Sequence, residues 1–475
     1  TGGATNFENL TGSASIETLN GDANANTIKG NGAADTIYGN AGNDILYGYA
    51  EDSMNGGASS QSGDDNLYGG AGDDSLYGTA GENILDGGTG KDTMYGGNGA
   101  DTFVLRAGDG SSTLASADVI ADFQNGTDVI GMDGLSFDDL TISQGTGSNA
   151  SHTIIQYIDT SEYLAIIQNT TVGNITALDF TSTSTDAQTL TGTSGNNTLI
   201  GGAGVDTVNG GAGSDTVYSW GGNDTINVAS KSGAYTDTIN GGAGTDTLNI
   251  NYSGITSLTD FTISKSGDIT TLTDSSGGTI NFESIENLTV NDLAYTSASS
   301  ATINSGDGGI SNAYWSASEK LLIATKSSVW YAQNINSAYS GLSASDDFEY
   351  VGSSGGDTIN LNINRLTTHS GNFTINTGGG SDSMLSAKLK NADSINLGAG
   401  NDSISVMVSG TYGTPSLSSM SMTLLDGGAG TDTISFEEST VASGTTLSLT
   451  TGGATNFENL TGSASIETLN GDANA

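Results

Sequence analysis

The sequence predicts an all-β fold, a parallel β-roll or β-solenoid of nonapeptide repeats interrupted by irregular β segments. Three observations lead there. Residues 12–104 read as consecutive nonapeptides of the form G-G-x-G-x-D-x-U-x, where U is a large apolar residue. The apolar 34% of the chain falls in short, evenly spaced strands, and no stretch keeps a helical period beyond a turn or two. The same nonapeptide returns later in the chain, which is the signature of a solenoid whose coils bury one another.

In the first array, Gly39–Tyr47 (GNAGNDILY), Gly69–Tyr77 (GGAGDDSLY), Gly87–Tyr95 (GGTGKDTMY) and Gly96–Val104 (GGNGADTFV) share one frame. Its sixth position holds Asp35, Asp44, Asp65, Asp74, Asp92 and Asp101, with Asn26 and Asn83 as weaker oxygen donors and Glu17 as a longer acid. Its eighth holds Ile28, Ile37, Leu46, Leu67, Leu76, Leu85, Met94 and Phe103. One unit is a residue short around Asp52, and Gly57–Gln61 reads as an insertion. These features define a first roll over 1–104. Residues 105–182 form a β-rich, cap-like segment with an apolar face of Val119, Ile120, Phe123, Val129 and Ile130.

A second roll over 183–250 carries Asp206, Asp215, Asp224, Asp237 and Asp246. Residues 251–350 lack the nonapeptide, are rich in Ser and Thr, and read as irregular strands with hairpin turns near Ser266-Gly267 and Ser276-Gly277. There Tyr314, Trp315, Trp330 and Tyr331 mark either a packed core, the favoured reading, or a glycan- or partner-binding face. Residues 351–450 return to a solenoid with scattered motifs at Asp357, Asp382, Asp402 and Asp432.

The residue types explain the chemistry. The glycines allow positive φ and a tight turn that aims main-chain carbonyls towards one point. The aspartate adds a hard carboxylate oxygen, the donor calcium prefers. The following x-U-x strand points its apolar residue inward. Two nonapeptides close one coil of about 18 residues, so acids align in ranks as coils stack at about 4.8 Å. Without metal such ranks repel themselves, which makes folding and binding one equilibrium. For any single Asp the alternative is an Asx turn capping its own loop.

In-phase nonapeptides of this kind resemble those of the repeats-in-toxin (RTX) proteins, of the surface-layer or giant-adhesin type. The resemblance implies a parallel β-roll with multiple Ca2+ between successive turns. Carried position by position, it implies ligands at Asp35, Asp44, Asp65, Asp74, Asp92, Asp101, Asp206, Asp215, Asp224, Asp246 and Asp432. Asp52 and Asp237 stand beside spacing irregularities. It also implies an extracellular or cell-surface location reached by type I secretion. Residues 101–180 are similar to the segment that follows the roll in such proteins, where Asp118, Asp122 and Asp128 are either a further site or exposed loop acids.

A second, longer period is present. Residues 1–25 (TGGATNFENLTGSASIETLNGDANA) are identical to residues 451–475, so the repeating unit is 450 residues. Short of an engineered duplication, this is a tandem array or a polymer in which the partner is the chain itself. Its junction falls inside a nonapeptide array, so successive units share a roll.

The charge and the missing residues exclude much else. With 53 acidic residues against 10 basic ones, a net −43, the chain repels nucleic acid and anionic membrane surfaces. No run of 18 apolar residues offers membrane insertion. There is no cysteine, hence neither disulfide nor thiol chemistry. His152 and His369 are the only histidines, and neither lies in a His-Glu-x-x-His helix. The expectation is therefore a non-enzymatic structural repeat of a calcium-dependent extracellular fibre, sheath or surface layer. The alternative is the spacer repeats of a giant secreted adhesin, with room for a glycan or cell-surface partner.

Overall fold

The nonapeptide folds as a turn followed by a short strand, and in the simplest of these the central residue alone is buried. Thr18–Asn20 and Thr27–Lys29 bury only Leu19 and Ile28. Such a strand is too short to stand by itself and is held by its neighbours in space. Thr18 pairs with Thr36, and Thr27 with Ile45, both in parallel. Consecutive nonapeptides therefore alternate between two sheets, and every second one stacks in register.

The computed structural model describes residues 8–49, 63–231, 233–297, 313–325, 329–331, 342–361, 369–407, 421–436, 446–448, 454–461 and 468–470. It divides into two compact units, Thr1–Asp224 with Gly242–Gly244, and Thr225–Gly241 with Thr245–Ala475. Apart from single 3-10 turns, the described elements are all strands. Among the described residues no helix is long and apolar enough to cross a membrane.

In the first unit one sheet has nine strands and its partner seven. Ile28, Ile37, Leu46, Leu67, Leu76, Leu85, Met94 and Phe103 fill the space between them with no exposed surface. These are the eighth-position residues, so one side chain per nonapeptide makes the core. Register is tight enough that ninth-position tyrosines stack outside it. Tyr38 lies over Tyr68 with ring centres 4.9 Å apart, and Tyr77 bridges Tyr47 and Tyr95 at 4.9 and 5.0 Å.

The segment after the first roll extends both sheets. Asp118–Ile120 adds to the nine-strand sheet beside Thr93–Asn98, and Val129–Asp133 to the seven-strand sheet beside Thr102–Arg106. Tyr163–Ile167, Thr153–Tyr157 and Leu140–Gln144 then turn antiparallel. Ile120, Phe123 and Ile130 of the expected apolar face are buried, continuing the core of the roll. The Arg106 guanidinium gathers three carboxylates there, Asp86 at 2.7 Å, Asp109 at 2.8 Å and Asp133 at 3.0 Å.

The second unit departs from the parallel pattern where the nonapeptides stop. Thr262–Ser266, Ile269–Thr273 and Thr279–Glu283 form antiparallel pairs about the turns at Gly267 and Gly277. Parallel stacking resumes from Phe348–Val351 onward. Tyr314 and Trp315 are buried, and Trp315 stacks on Phe348 with ring centres 5.8 Å apart, which makes this pair core. The side chains of Trp330 and Tyr331 lie outside the described residues.

The turns explain the glycines. Gly90 holds φ at +139°, and a β-carbon there would strike the carbonyl of Gly72 in the preceding coil. Gly126 also has positive φ, +78°, but open space around it. Gly126→Ala should therefore cost only the left-handed penalty of about 1–2 kcal/mol. Gly90→Ala should cost at least twice that, because coils must also move apart. Thermal unfolding of both variants at saturating calcium checks the order.

Candidate metal centre

The sixth-position side chains form two ranks in the first unit, and a repeated hydrogen bond sets them. One oxygen of each acid accepts the backbone N–H of the sixth residue one coil earlier. The first rank runs Glu17, Asp35, Asp65, Asn83, Asp101, Asp128, and the second Asn26, Asp44, Asp74, Asp92, Asp118. The bonds span 2.6 to 3.1 Å. The steps are 18 residues except from Asp35 to Asp65 and from Asp44 to Asp74, which are 30 apart, and at the last step of each rank, 27 to Asp128 and 26 to Asp118. Asp52 falls within the 30-residue jump in the sequence and lies outside the described residues.

The other carboxylate oxygen has no such donor. Oδ2 of Asp35, Asp44, Asp65, Asp74, Asp92 and Asp101 is buried with no hydrogen-bond partner among the described residues. The first-position glycine makes the space it occupies. A β-carbon on Gly69 would lie 2.5 Å from Asp74 Oδ2 and 2.6 Å from the Gly87 carbonyl oxygen. Two oxygens with no proton between them thus converge on one point. A buried oxygen pair of this kind is costly unless a cation joins it. Among the described residues no three His, Cys, Asp or Glu side chains converge, so each cradle offers one carboxylate plus main-chain oxygen. Hard oxygen donors of that mixture fit Ca2+. When bound, the ion supplies the positive charge the ranks lack.

The remaining expected positions differ in detail. In the first unit Gln188, Asp206 and Asp224 form a rank, and Asn197 stands under Asp215. The second oxygen of Asp206 accepts the Gly202 N–H at 3.1 Å. In the second unit Asp246 bonds to Glu286, and Asp357, Asp382, Asp402 and Asp432 run in order to Glu458. Oδ2 of Asp382, Asp402 and Asp432 is again buried without a partner among the described residues.

Two of the expected positions differ from the rest in their local bonds. Asn83 has one oxygen, and the rank consumes it, accepting the Asp65 N–H at 3.0 Å. Its amide nitrogen is left facing the cradle, where it donates to Asp101 at 2.9 Å. It presents a donor where a ligand needs an acceptor. Asn26 instead keeps its oxygen near the cradle, accepting the Asp22 N–H at 2.8 Å. Asp237 has its charge met within the protein, since Lys231 Nζ lies 2.7 and 2.8 Å from its two oxygens. Its register partner in the next coil is Ile280, so no oxygen follows it in that rank.

Asp118 and Asp128, read from the sequence as either a further site or exposed loop acids, join the ranks, and so do Gln188, Asn197, Glu286 and Glu458, which the sequence reading did not single out. Asp118 and Asp128 are buried rather than exposed loop acids, and each sits on the cap-like segment. Their chain distances of 26 and 27 residues hide a register that is kept in space. Asp122 lies beside the ranks and accepts the N–H groups of Gly96 and Gly97 at 2.9 and 3.0 Å. The signal for Glu286 and Glu458 was the shared Glu-Asn-Leu, which puts Glu sixth and Leu eighth.

Comparison with known sequences decides what these ranks belong to. The family of the RTX calcium-binding nonapeptide repeat (4 copies) matches residues 11–46, 20–54, 59–94, 77–111, 191–226 and 231–249. The chain carries RTX calcium-binding repeats. No curated protein matches it. Among solved structures, the solution structure of the AlgE6R3 subunit from the Azotobacter vinelandii mannuronan C5-epimerase is 23% identical. It covers 37% of this chain and 82% of that one, at a TM-score of 0.18.

Burial sets the proton affinity of the RTX ranks. It pushes the carboxyls of Asp65 and Asp92 up to about 7, with neighbouring acids adding to the rise. It pushes Asp74, Asp101 and Asp382 to about 6, and Asp118 to about 8. In the unfolded chain these groups titrate near 3.8. Raised folded values mean that the metal-free fold is most stable below about pH 4 and loses stability as pH rises through 6 to 8. Calcium held by these oxygens would compete with protons for them. In chelator, the melting temperature should therefore be higher at pH 5 than at pH 8. The rise in melting temperature caused by calcium should shrink over the same step down in pH. Circular dichroism melts at the two pH values, with and without calcium, check both signs.

Asp74→Asn should act differently from Leu76→Ala. The first removes a ligand charge, so the midpoint of the calcium titration should rise while the chelated protein becomes no less stable. The second empties a core site and should cost about 2–5 kcal/mol in both states. Unfolding in chelator at pH 5, where the protonated ranks hold the metal-free fold, and at saturating calcium separates them.

Proposed function

We propose that this chain is a non-enzymatic structural repeat unit of an extracellular, calcium-dependent fibre, sheath or surface layer, in which calcium drives both folding and assembly. The observation that carries the proposal is the exact return of residues 1–25 at 451–475 in phase with the nonapeptides. A solenoid that repeats without a break in phase is built to continue. The bare carboxylates support the calcium half of the reading, because the coils stack fully only when their charge is met.

Location follows from the same chemistry. Extracellular modules bind calcium with constants in the range of about 10⁻⁴–10⁻³ M, which suits the outside of a cell. Below that concentration the ranks stay repulsive and the chain stays unfolded, the form that passes through type I secretion. Binding to the folded state alone then pulls the chain into shape after export.

In millimolar calcium the purified chain should give a strong β signal in circular dichroism and form filaments or sheets in electron microscopy. At pH 8 a chelator should abolish both, and survival of both in chelator at that pH would sink the proposal. Rod-like monomers at high concentration, with the β signal intact, would instead identify the spacer of a secreted adhesin.

A further inference from the structure

The two identical segments are bonded on opposite sides. Asn9–Thr11 stands at the edge of the nine-strand sheet and pairs with the strand that follows it, Asn9 with Thr27, Leu10 with Ile28 and Thr11 with Lys29. The same three residues at Asn459–Thr461 pair with the strand that precedes them, Thr433 with Asn459, Ile434 with Leu460 and Ser435 with Thr461. The second strand of the segment behaves alike. Thr18–Asn20 pairs forward with Thr36–Tyr38, whereas Thr468–Asn470 pairs back with Thr446–Ser448.

These two sets of contacts do not compete for the same atoms. The forward bonds use the Glu8 carbonyl, which accepts from Thr27 at 2.6 Å, and the Gly12 N–H, which donates to Lys29 at 2.8 Å. The backward bonds use the N–H groups of Glu458 and Asn459, both donated to the Asp432 carbonyl at 3.1 and 2.9 Å. One copy of the segment can make both sets at once. Side chains agree. Leu10 is 37% exposed at its edge. Its twin Leu460 is partly buried against the core of the second unit, where the neighbouring Phe457 is 4% exposed. The acid rank reaches the segment, since Glu458, the twin of Glu8, accepts the Asp432 N–H at 2.8 Å.

We infer that this 25-residue segment is a shared coil, the joint through which a second copy of the chain is added. Residues 1–25 of one molecule take the place that residues 451–475 hold in another. Thr433–Ser435, Asn9–Thr11 and Thr27–Lys29 then lie side by side in one sheet. Thr446–Ser448, Thr18–Asn20 and Thr36–Tyr38 do so in the other. The apolar row then continues from Ile434 through Leu10 to Ile28. The inference rests on the self-assembling reading above and adds to it where the units meet and in what register.

The chain has no cysteine, so an engineered pair reports the contact cleanly. Ser435→Cys with Thr461→Cys should form a disulfide within one molecule and serves as the control for the fold. Ser435→Cys with Thr11→Cys, refolded together in calcium at high concentration, should link molecules into multiples of 47.6 kDa on a non-reducing gel. The internal copy competes in the full chain through its higher effective concentration. The yield should therefore rise several-fold in the chain shortened after Thr450, and fall again when the free 25-residue peptide is added. Ser435→Cys with Lys29→Cys should give no link, because two strand spacings, about 9.6 Å, exceed the reach of a disulfide of about 7 Å. If the shortened chain fails to fold, the full-length pair still decides the matter. Assembly without the Ser435–Thr11 link overturns the joint and leaves the self-assembling reading standing. No assembly in calcium overturns both.

Discussion

Everything in this structure depends on a hydrogen bond that uses only half of a carboxylate. The sixth residue of each nonapeptide lends one oxygen to the N–H of the coil before it, as Asp74 does for Asp44 at 2.6 Å. That bond fixes the register between coils and buries the side chain. The second oxygen is then carried into the same buried space with no donor to meet it. The first-position glycine exists because that oxygen needs room, and the fourth because the turns of adjacent coils touch. The structure is thereby committed to a cation at the moment its backbone stacks.

The places where the pattern is broken show the same constraint. Where Asn replaces Asp at position 83, an amide nitrogen stands in place of the second oxygen and donates to Asp101 Oδ1 at 2.9 Å. Beside Asp237 a lysine ammonium, Lys231, lies 2.7 Å away and provides the positive charge from within the chain. Glu17 turns back to the N–H and hydroxyl of Ser13 at the start of its rank. These positions remove the bare oxygen by different routes, as Asp206 does by accepting the Gly202 N–H, whereas Asp35, Asp44, Asp65, Asp74, Asp92 and Asp101 keep it. With so few basic residues in the sequence, internal cations are scarce, which leaves the regular coils dependent on metal.

Much of this was legible in the sequence. The spacing of Asp35, Asp44, Asp74 and Asp92 placed them in turns, and that of Leu76, Leu85 and Met94 placed them inside. The hairpins at Gly267 and Gly277 were readable from turn chemistry. What could not be read was register across irregular spacing. Asp118 and Asp128 join the ranks after steps of 26 and 27 residues, and Asp65 follows Asp35 after 30. Those steps depend on which strand meets which in space. The partner of Asp237 was hidden for a related reason, since Lys231 stands outside the nonapeptide pattern and only the fold brings it near. The 25-residue duplication announced a joint, but its geometry needed both copies to be seen with different neighbours.

The central claim is that the buried second oxygens are calcium ligands. Anomalous diffraction from crystals grown in calcium tests it most directly. The account predicts a row of anomalous peaks along each rank, one of them between Asp74 Oδ2 and the Gly87 carbonyl, with no such peak between Asp237 and Lys231. Cradles without anomalous signal at saturating calcium, or peaks confined to exposed loop acids, would contradict it.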